Sequence, residues 1–193
     1  MKILHTSDWH LGKTLEGRSR LEEQQRFLAD FVQIVKEKEV DLVIISGDIY
    51  DTFNPPARAE ELFYNTLRDI SNNGQTGILV IAGNHDSPRR LTSIKSLARK
   101  YGVILLGKPR SQISPGQYGE IEVLESEPGY LNIEVKGEEA VVITLPYPNE
   151  KRLDEIFTYH SDEKVRVESY RKKLLIYLLV YLINTEKKLS ISL

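Results

Sequence analysis

Three short runs of consecutive aliphatic residues constrain the fold of this 193-residue chain more than any other feature. Continuous runs of about four to eight such residues are typical of strands that are buried on both faces of a parallel sheet. Amphipathic helical patterns separate and follow the runs, so strand and helix alternate along the chain. This order predicts an α/β fold built on a mainly parallel sheet. The two longer runs are Leu42–Ser46 and Ile78–Ala82, and Lys2–Thr6 is a shorter apolar run that ends in polar residues.

Two of the predicted helices have recognisable starts. Ser19 and Glu22 have the spacing of a capping box, which predicts that the first helix begins there. Ser87 followed by proline predicts the start of the third helix. The buried stripe of that third helix is predicted to consist of Ile94, Leu97, Ala98 and Tyr101.

The pattern changes after residue 102, where short alternating strands are separated by Pro and Gly turns. This texture predicts a second, more antiparallel sheet. A charged helical segment is expected to follow, from about Glu150 to Lys173. The predicted strands are Glu120–Leu124, Tyr130–Val135 and Ala140–Leu145.

Composition excludes several classes of function. The net charge of −2 argues against a strongly cationic nucleic-acid coat, and the absence of cysteine excludes disulfides, cysteine-based zinc sites and a cysteine nucleophile. The longest apolar run, Leu174–Ile183, is far shorter than the roughly 20 residues that a membrane span needs. Because the N-terminus also lacks the pattern of a signal peptide, we expect a cytoplasmic protein without a membrane anchor.

Each aliphatic run ends in a polar cluster. The carboxyl ends of parallel strands meet at one rim of the sheet, so we expect the three clusters to lie together. Oxygen ligands mixed with an imidazole suit Mn²⁺ or a similar divalent ion. The clusters are Asp8-Trp9-His10, Gly47-Asp48-Ile49-Tyr50-Asp51 and Gly83-Asn84-His85-Asp86.

Four residues of these clusters are candidate metal ligands. Asp8 and His10 lie on the same side if the chain stays extended, so both can reach one ion. Asp48 has two carboxylate oxygens and can bridge two ions, which together clamp a phosphate and generate a hydroxide nucleophile. Asn84 offers a neutral carbonyl oxygen to one ion.

Two further residues are candidates for catalysis. His85 can face the phosphate, where an imidazole stabilises developing charge or protonates the leaving oxygen. Asp51 can orient that imidazole. Each motif alone also has a purely structural explanation, as a loop start, a Gly-Asp turn or a turn before a capped helix. Their order, each after its own strand, favours the site.

The remaining polar candidates leave two explanations open. Basic residues follow the first and third motifs, where they either contact phosphates or are solvated charges at helix starts. His5 is expected to be a packed core or rim residue, and His160 to be solvated. The basic residues are Lys13, Arg18, Arg20, Arg89 and Arg90.

The three motifs resemble the opening motifs of the calcineurin-like metallophosphoesterases. The flanking segments Thr6–Arg18, Ser46–Pro56 and Leu145–Pro148 resemble, more narrowly, the SbcD family of bacterial nuclease subunits. The resemblance runs from Met1 to about Lys173 and implies a two-sheet α/β sandwich flanked by helices. It also implies two manganese ions and hydrolysis of phosphodiester bonds in DNA.

The resemblance further implies an activity and partners. SbcD-type subunits act with an SbcC-type ATPase as 3′–5′ exonucleases on double-stranded DNA and as endonucleases on single strands. They form homodimers through helices of the nuclease domain. By match to the family motifs, His85 is the catalytic histidine, Asp51 orients it, Asp48 is the bridging carboxylate, and the other metal ligands are Asp8, His10 and Asn84.

The chain departs from the family pattern in its later part. The family completes its site with three more histidines, whereas only His160 follows His85 here. We therefore expect a fold that is incomplete at its C-terminus, with weak metal binding at the second site. Residues 1–173 are expected to form the first part of the nuclease domain, residues 174–193 an aberrant apolar tail, and the capping domain to be absent. A shifted reading frame or an early stop is the hypothesis for this change.

Three functions remain open. The first is a manganese-dependent DNA nuclease subunit, and the second is a remnant that keeps the dimerising helices but does not cut. The third is a phosphoesterase that acts on phosphoproteins or cyclic nucleotides. The similarity of the flanks through Asn54-Pro55-Pro56 disfavours the third.

Overall fold

The computed structural model describes residues 1–149 together with Arg152, Arg171 and Leu175. The charged helix predicted between residues 150 and 173, the apolar tail and His160 lie almost entirely outside these residues. In chain order the described elements are β1 (Ile3–Thr6), β2 (Thr14–Leu15), β3 (Arg18–Ser19), α1 (Leu21–Glu37), β4 (Leu42–Ser46), α2 (Ala57–Ser71), β5 (Gly77–Ile81), α3 (Pro88–Leu91), a 3₁₀ turn (Thr92–Ile94), α4 (Lys95–Lys100), β6 (Val103–Leu106), β7 (Gly116–Tyr118), β8 (Ile121–Glu127), β9 (Tyr130–Val135) and β10 (Glu138–Ile143).

The first sheet confirms the predicted parallel architecture. Its four strands run in the order β1-β4-β5-β6, and every neighbouring pair is parallel. The central strands β4 and β5 are almost fully buried, as their continuous aliphatic runs predicted. β1 is an edge strand of the described sheet, and His5 is exposed on it rather than packed in the core. The Nε2 atom of His5 lies 2.7 Å from Ser46 Oγ.

The second sheet is antiparallel, with the order β10-β9-β8-β7, and it packs face to face against the first. Aliphatic side chains of both sheets form one shared core, while α1 and α2 cover the opposite face of the parallel sheet. The predicted two-sheet sandwich flanked by helices is therefore confirmed. Of the helices in the described part, none is long and apolar enough to cross a membrane.

The first helix begins later than its predicted capping box. Ser19 belongs to β3, and α1 starts at Leu21, whose amide donates to Ser19 Oγ at 3.3 Å. Glu16 and Gly17, both with positive φ, form the two-residue turn between β2 and β3. Left-handed residues suit such a hairpin turn, but its two-residue strands are too short for any periodic signal. The sequence therefore did not predict this hairpin.

The third helix begins as predicted and then breaks. Ser87 caps α3, with its Oγ accepting the Arg90 amide, and Pro88 is the first helical residue. The 3₁₀ turn follows at once, and its tighter winding rotates the next residues away from the predicted face. Leu97 and Tyr101 are consequently 73% and 40% exposed, so the predicted buried stripe was wrong at these two positions, whereas Ala98 is buried as predicted.

Candidate metal centre

The polar clusters that follow β1, β4 and β5 lie together at the carboxyl rim of the parallel sheet. The first two loops pair through their backbones, because the amides of Asp8 and His10 donate to the carbonyls of Gly47 and Asp48 at 3.1 and 3.0 Å. The amide of Leu11 continues this pairing to the carbonyl of Ile49 at 2.8 Å. Parallel pairing thus extends beyond the strands and fixes one loop against the other.

His10 lies at the centre of the potential ligands. Ligand atoms of Asp8, His10 and Asp48 lie within 4.8 Å of one another, and so do those of His10, Asp51 and His85. His10 Nε2 is 3.7 Å from Asp8 Oδ1, and His10 Nδ1 is 3.4 Å from Asp51 Oδ1. These groups can hold a metal ion, because carboxylate and imidazole donors converge on one small volume.

One atom of this group is buried without a hydrogen bond. The Nδ1 atom of His10 has no hydrogen-bond partner among the described residues, although it is shielded from solvent. Leaving a buried polar atom unpaired costs roughly 1–3 kcal/mol. The Asp51 carboxylate lies 3.4 Å from this nitrogen, and a cation held between an imidazole nitrogen and a carboxylate oxygen would satisfy both, so the donor set fits a divalent cation.

The backbone is left-handed at three of the potential ligands. Asp8, His10 and Asp48 have φ values of 59°, 46° and 50°. Such conformations cost a non-glycine residue about 1–3 kcal/mol and persist only where the surroundings impose them. Asp8 and His10 therefore do not meet through the extended backbone that the sequence suggested. The left-handed turns bring their side chains together instead.

Two glycines allow the second and third loops to touch. A Cβ atom on Gly47 would lie 2.7 Å from the Cα of Gly83. A Cβ atom on Gly83 would overlap both the carboxylate and the main-chain nitrogen of Asp48. The glycines that open the Gly-Asp and Gly-Asn motifs are thus required by this contact, which places Asp48 directly against the third loop.

Two aspartates of the second loop, Asp48 and Asp51, hold His85 in place. Its amide donates to Asp48 Oδ1 at 2.9 Å, and its Nδ1 lies 2.7 Å from the main-chain carbonyl of Asp51. Because a carbonyl only accepts, Nδ1 carries a hydrogen, so Nε2 is the nitrogen that accepts a proton when the ring is neutral and donates one when the ring is protonated. The imidazole packs edge-to-face on His10 at 4.9 Å.

Asp51 therefore contacts His85, but through its carbonyl and not its carboxylate. The carboxylate lies beside His10 Nδ1 and 3.8 Å from Lys13 Nζ. Asn84 is exposed on the turn between Gly83 and His85, so its role as a ligand of a second ion stays a prediction.

The sequence profile of the calcineurin-like phosphoesterase family matches residues 1–175. The chain belongs to the calcineurin-like phosphoesterases. The SbcD subunit of nuclease SbcCD from Bacillus subtilis (strain 168) is 43% identical to this phosphoesterase over 174 residues, which are 90% of this chain and 41% of the relative. The SbcD subunit of nuclease SbcCD from Rhodobacter capsulatus is 41% identical over 108 residues, 55% of this chain and 27% of the relative.

The chain thus spans less than half the length of these curated relatives. Among solved structures, this phosphoesterase is similar to the crystal structure of Pseudomonas putida nuclease MPE. The matched region covers 55% of this chain and 48% of the MPE chain. The TM-score of that match is 0.37 and the sequence identity is 20%.

A buried carboxylate joins the second and third loops of this phosphoesterase. Asp86 is fully buried, and its oxygens accept the amides of Ile49, Tyr50 and Gly83 at 3.3, 3.0 and 2.8 Å. Burial raises the pKa of Asp86, and these hydrogen bonds oppose the shift. Asp86 stood in the third motif, but its partners lie up to 37 residues away, so no local pattern could name them.

Gln24 on α1 has the corresponding role for the first loop. Its Nε2 donates to the carbonyls of His10 and Trp9 at 2.8 and 3.2 Å, and its Oε1 accepts the Gly12 amide at 3.0 Å. The spacing of residues along α1 could have indicated that Gln24 faces the interior, because it lies four residues before the buried Leu28. The role of Gln24 was not predicted from the sequence.

The predicted DNA-contact residues have different surroundings. Arg90 donates to Glu60 at 3.1 Å and to Asn54 at 2.6 Å, so it fastens the segment after the second motif. Arg20 pairs with Glu23 at 2.8 Å. Lys13 and Arg20 line a groove of about 410 Å³ that opens beside Asp8 and His10, whereas Arg18 and Arg89 are exposed. Their contact with DNA remains a prediction.

Proposed function

We propose that this phosphoesterase is a DNA nuclease subunit that hydrolyses phosphodiester bonds with bound Mn²⁺. The observation that supports this most strongly is that ligand atoms of Asp8, His10 and Asp48 lie within 4.8 Å of one another, and that the other ring nitrogen of His10 faces Asp51. The similarity to two SbcD subunits of nuclease SbcCD gives the substrate class.

We propose that Asp8, His10 and Asp48 would hold one ion, and that Asp48 and Asn84 would hold a second. Mixed carboxylate, amide and imidazole donors favour Mn²⁺ over Ca²⁺, which prefers oxygen alone. When bound, divalent ions of this kind neutralise phosphate charge and supply the Lewis acidity that phosphodiester hydrolysis needs.

In its protonated form, with a hydrogen on both ring nitrogens, His85 is the proposed proton donor to the leaving oxygen through Nε2. The carbonyl of Asp51 fixes its Nδ1 hydrogen and therefore the orientation of the ring, 2.7 Å away. The contact with His10 keeps this ring beside the ligand cluster. A positioned imidazole of this kind contributes roughly 10²–10⁴-fold to rate.

The proposed partners follow from the named relatives. We propose that the chain acts with an SbcC-type ATPase on DNA, as a 3′–5′ exonuclease on double strands and an endonuclease on single strands, in replication, recombination or repair. A homodimer and a cytoplasmic location belong to the same proposal. Residues 1–173 are the proposed phosphoesterase part of the chain.

A cleavage assay tests the proposal. The purified chain is incubated with end-labelled linear duplex DNA and Mn²⁺, in parallel with Asp48→Asn, His85→Ala and the distant control Lys136→Met. We expect Mn²⁺-dependent cleavage by the wild type and the control, none by Asp48→Asn, and a decrease of roughly 10²–10⁴-fold in His85→Ala.

Two outcomes would count against the proposal. Mn²⁺ binding without cleavage of duplex or single-stranded DNA would indicate a binding module. Failure to bind Mn²⁺ at all would remove the proposed chemistry.

A further inference from the structure

A buried arginine outside the three motifs contacts the third of them. Arg152 is only 7% exposed, and its guanidinium donates to two main-chain carbonyls. Nη1 donates to Gly83 at 2.7 Å and Nη2 to Asp86 at 2.6 Å. These carbonyls stand on either side of Asn84 and His85, so a single side chain holds both ends of the turn that carries them.

The chain reaches this position through a return segment, residues 145–149 and Arg152, that follows the antiparallel sheet. The amide of Tyr147 donates to the carbonyl of Ala82 at 2.8 Å, directly after β5. The Arg152 guanidinium lies 5.5 Å from the centre of the Tyr147 ring, and the Arg152 amide donates to Asn149. The return segment is thus bound to the end of the strand that delivers the third motif.

The chemistry of the contact requires arginine. A planar guanidinium presents nitrogen donors in a fixed fork, whereas an ammonium is a point donor on a flexible stem. Burial lowers the pKa of Arg152, and the nearby Asp86 carboxylate opposes that shift. A buried cation that satisfies main-chain carbonyls, with its counter-charge on the same turn, is well suited to fixing a loop.

We infer that Arg152 is a positioning residue for the candidate metal centre. It acts through the turn from Gly83 to Asp86, which carries the His85 amide that donates to Asp48 and the His85 ring that contacts Asp51. If the carbonyls of Gly83 and Asp86 are released, the turn is free to move away from Asp48 and Asp51. The consequence for metal binding and cleavage rests on the proposed function, while the consequence for the turn itself does not.

The experiment compares the unmodified 193-residue chain with Arg152→Met, Arg152→Lys and Lys136→Met. The last variant removes an ion pair of 2.6 Å with Asp41, away from the third loop, and controls for general loss of stability. Three quantities are measured: the free energy of unfolding in urea, the hydrogen exchange rate of the His85 amide without metal, and Mn²⁺ affinity by electron paramagnetic resonance.

We expect Arg152→Met to accelerate exchange of the His85 amide at least about tenfold relative to amides of β9, and to weaken Mn²⁺ binding by roughly 10–100-fold. For Arg152→Lys, both the exchange rate and the Mn²⁺ affinity should lie between those of the wild type and Arg152→Met. Lysine keeps the positive charge but lacks the forked arrangement of donors. Lys136→Met should change neither quantity. If Arg152→Met does not fold, Arg152→Lys supplies the same comparison.

A purely structural arginine gives a different result. The inference is overturned if the Arg152 variants lose stability while exchange at His85, relative to β9, and Mn²⁺ affinity match the Lys136→Met control. If the wild type binds no Mn²⁺, the proposed function fails, but faster exchange at His85 still supports the positioning role.

Discussion

Residues with a left-handed backbone occur both at the carboxyl rim of the parallel sheet and in the turns of the antiparallel sheet, but they have different roles in the two places. Asp48 at the rim has a φ of 50°, and Lys136 in the turn between β9 and β10 has a φ of 51°. Lys136 and Gly137 simply reverse the chain in solvent, as two left-handed residues do in a tight hairpin. Asp48 packs against Gly83 and accepts the His85 amide, so its conformation serves to aim a carboxylate.

This difference shows where a strained backbone conformation indicates a functional site in this molecule. A left-handed residue in a hairpin is explained by the turn that it makes. At the rim, the same conformation occurs at three potential ligands on two loops, and buried side chains such as Asp86 and Gln24 hold those loops in place. The rim is therefore expected to tolerate substitution far less than the turns.

Alanine at two glycines should show the largest contrast. Gly83→Ala places a Cβ atom onto Asp48, so we expect a loss of about 4 kcal/mol or more in the free energy of unfolding. Gly137→Ala has only its φ of 81° to overcome, because no described atom lies within 4 Å of its Cβ position. That loss should be about 1–2 kcal/mol. Urea denaturation measures both, and equal losses would contradict the distinction.

Removal of buried acceptors should give the next largest contrast. Asp86→Ala leaves three amides of two loops without their acceptor, and we expect a loss of roughly 3 kcal/mol or more. The matched change in the antiparallel sheet is Ser126→Ala, which removes one acceptor from the Ile113 amide. Its cost should be about 1 kcal/mol. A smaller loss for Asp86→Ala than for Ser126→Ala in urea denaturation would be evidence against a strongly connected rim.

Loss of the Gln24 contacts should have an intermediate effect that is confined to the first loop. Gln24→Leu keeps the volume of the side chain but abandons the Gly12 amide and the His10 carbonyl. We expect a loss of roughly 1–3 kcal/mol on urea denaturation and faster hydrogen exchange at Gly12. Unchanged exchange at Gly12 would show that α1 does not hold this loop.

The smallest effect should occur away from the rim, at the ion pair of Asp41 and Lys136. The hydrogen bond from Lys136 lowers the pKa of Asp41 below its ordinary value. The pair therefore stabilises the fold at pH values above the ordinary pKa of aspartate. This contribution is lost as the pH falls through the lowered pKa of Asp41. Lys136→Met should raise the pKa of Asp41 in a carboxyl NMR titration and cost less than about 1 kcal/mol at neutral pH. An unshifted Asp41 titration would refute this.

The parts of the fold that depend on periodic burial could be predicted from the sequence. Aliphatic runs located β1, β4 and β5, and parallel topology then placed the three polar clusters at one rim. Apolar spacing predicted the burial of Ala98 in the third helix but failed at Leu97 and Tyr101, because a 3₁₀ turn shifted the helical register. Periodicity reports burial and does not register such a local change in winding.

The contacts that give the candidate centre its geometry could not be predicted from local patterns. The Asp51 carbonyl, the Asp86 carboxylate and the Arg152 guanidinium act on residues 34 to 69 positions away. Nor does residue type show that Asp8 and Asp48 adopt left-handed backbone conformations, since aspartate occupies that region only occasionally. Such details follow from the packing of loops and not from any single segment.

A Mn²⁺ titration of the chain followed by electron paramagnetic resonance tests the central claim most directly. Asp48→Asn neutralises the carboxylate between the loops, and Asp41→Asn makes the same chemical change at the opposite end of the sheet, where Asp41 contacts Lys2 and Lys136. We predict saturable binding by the wild type and by Asp41→Asn, with affinity weakened by at least roughly 10–100-fold in Asp48→Asn. Equal affinity in Asp48→Asn and the wild type would show that the metal does not bind at this rim.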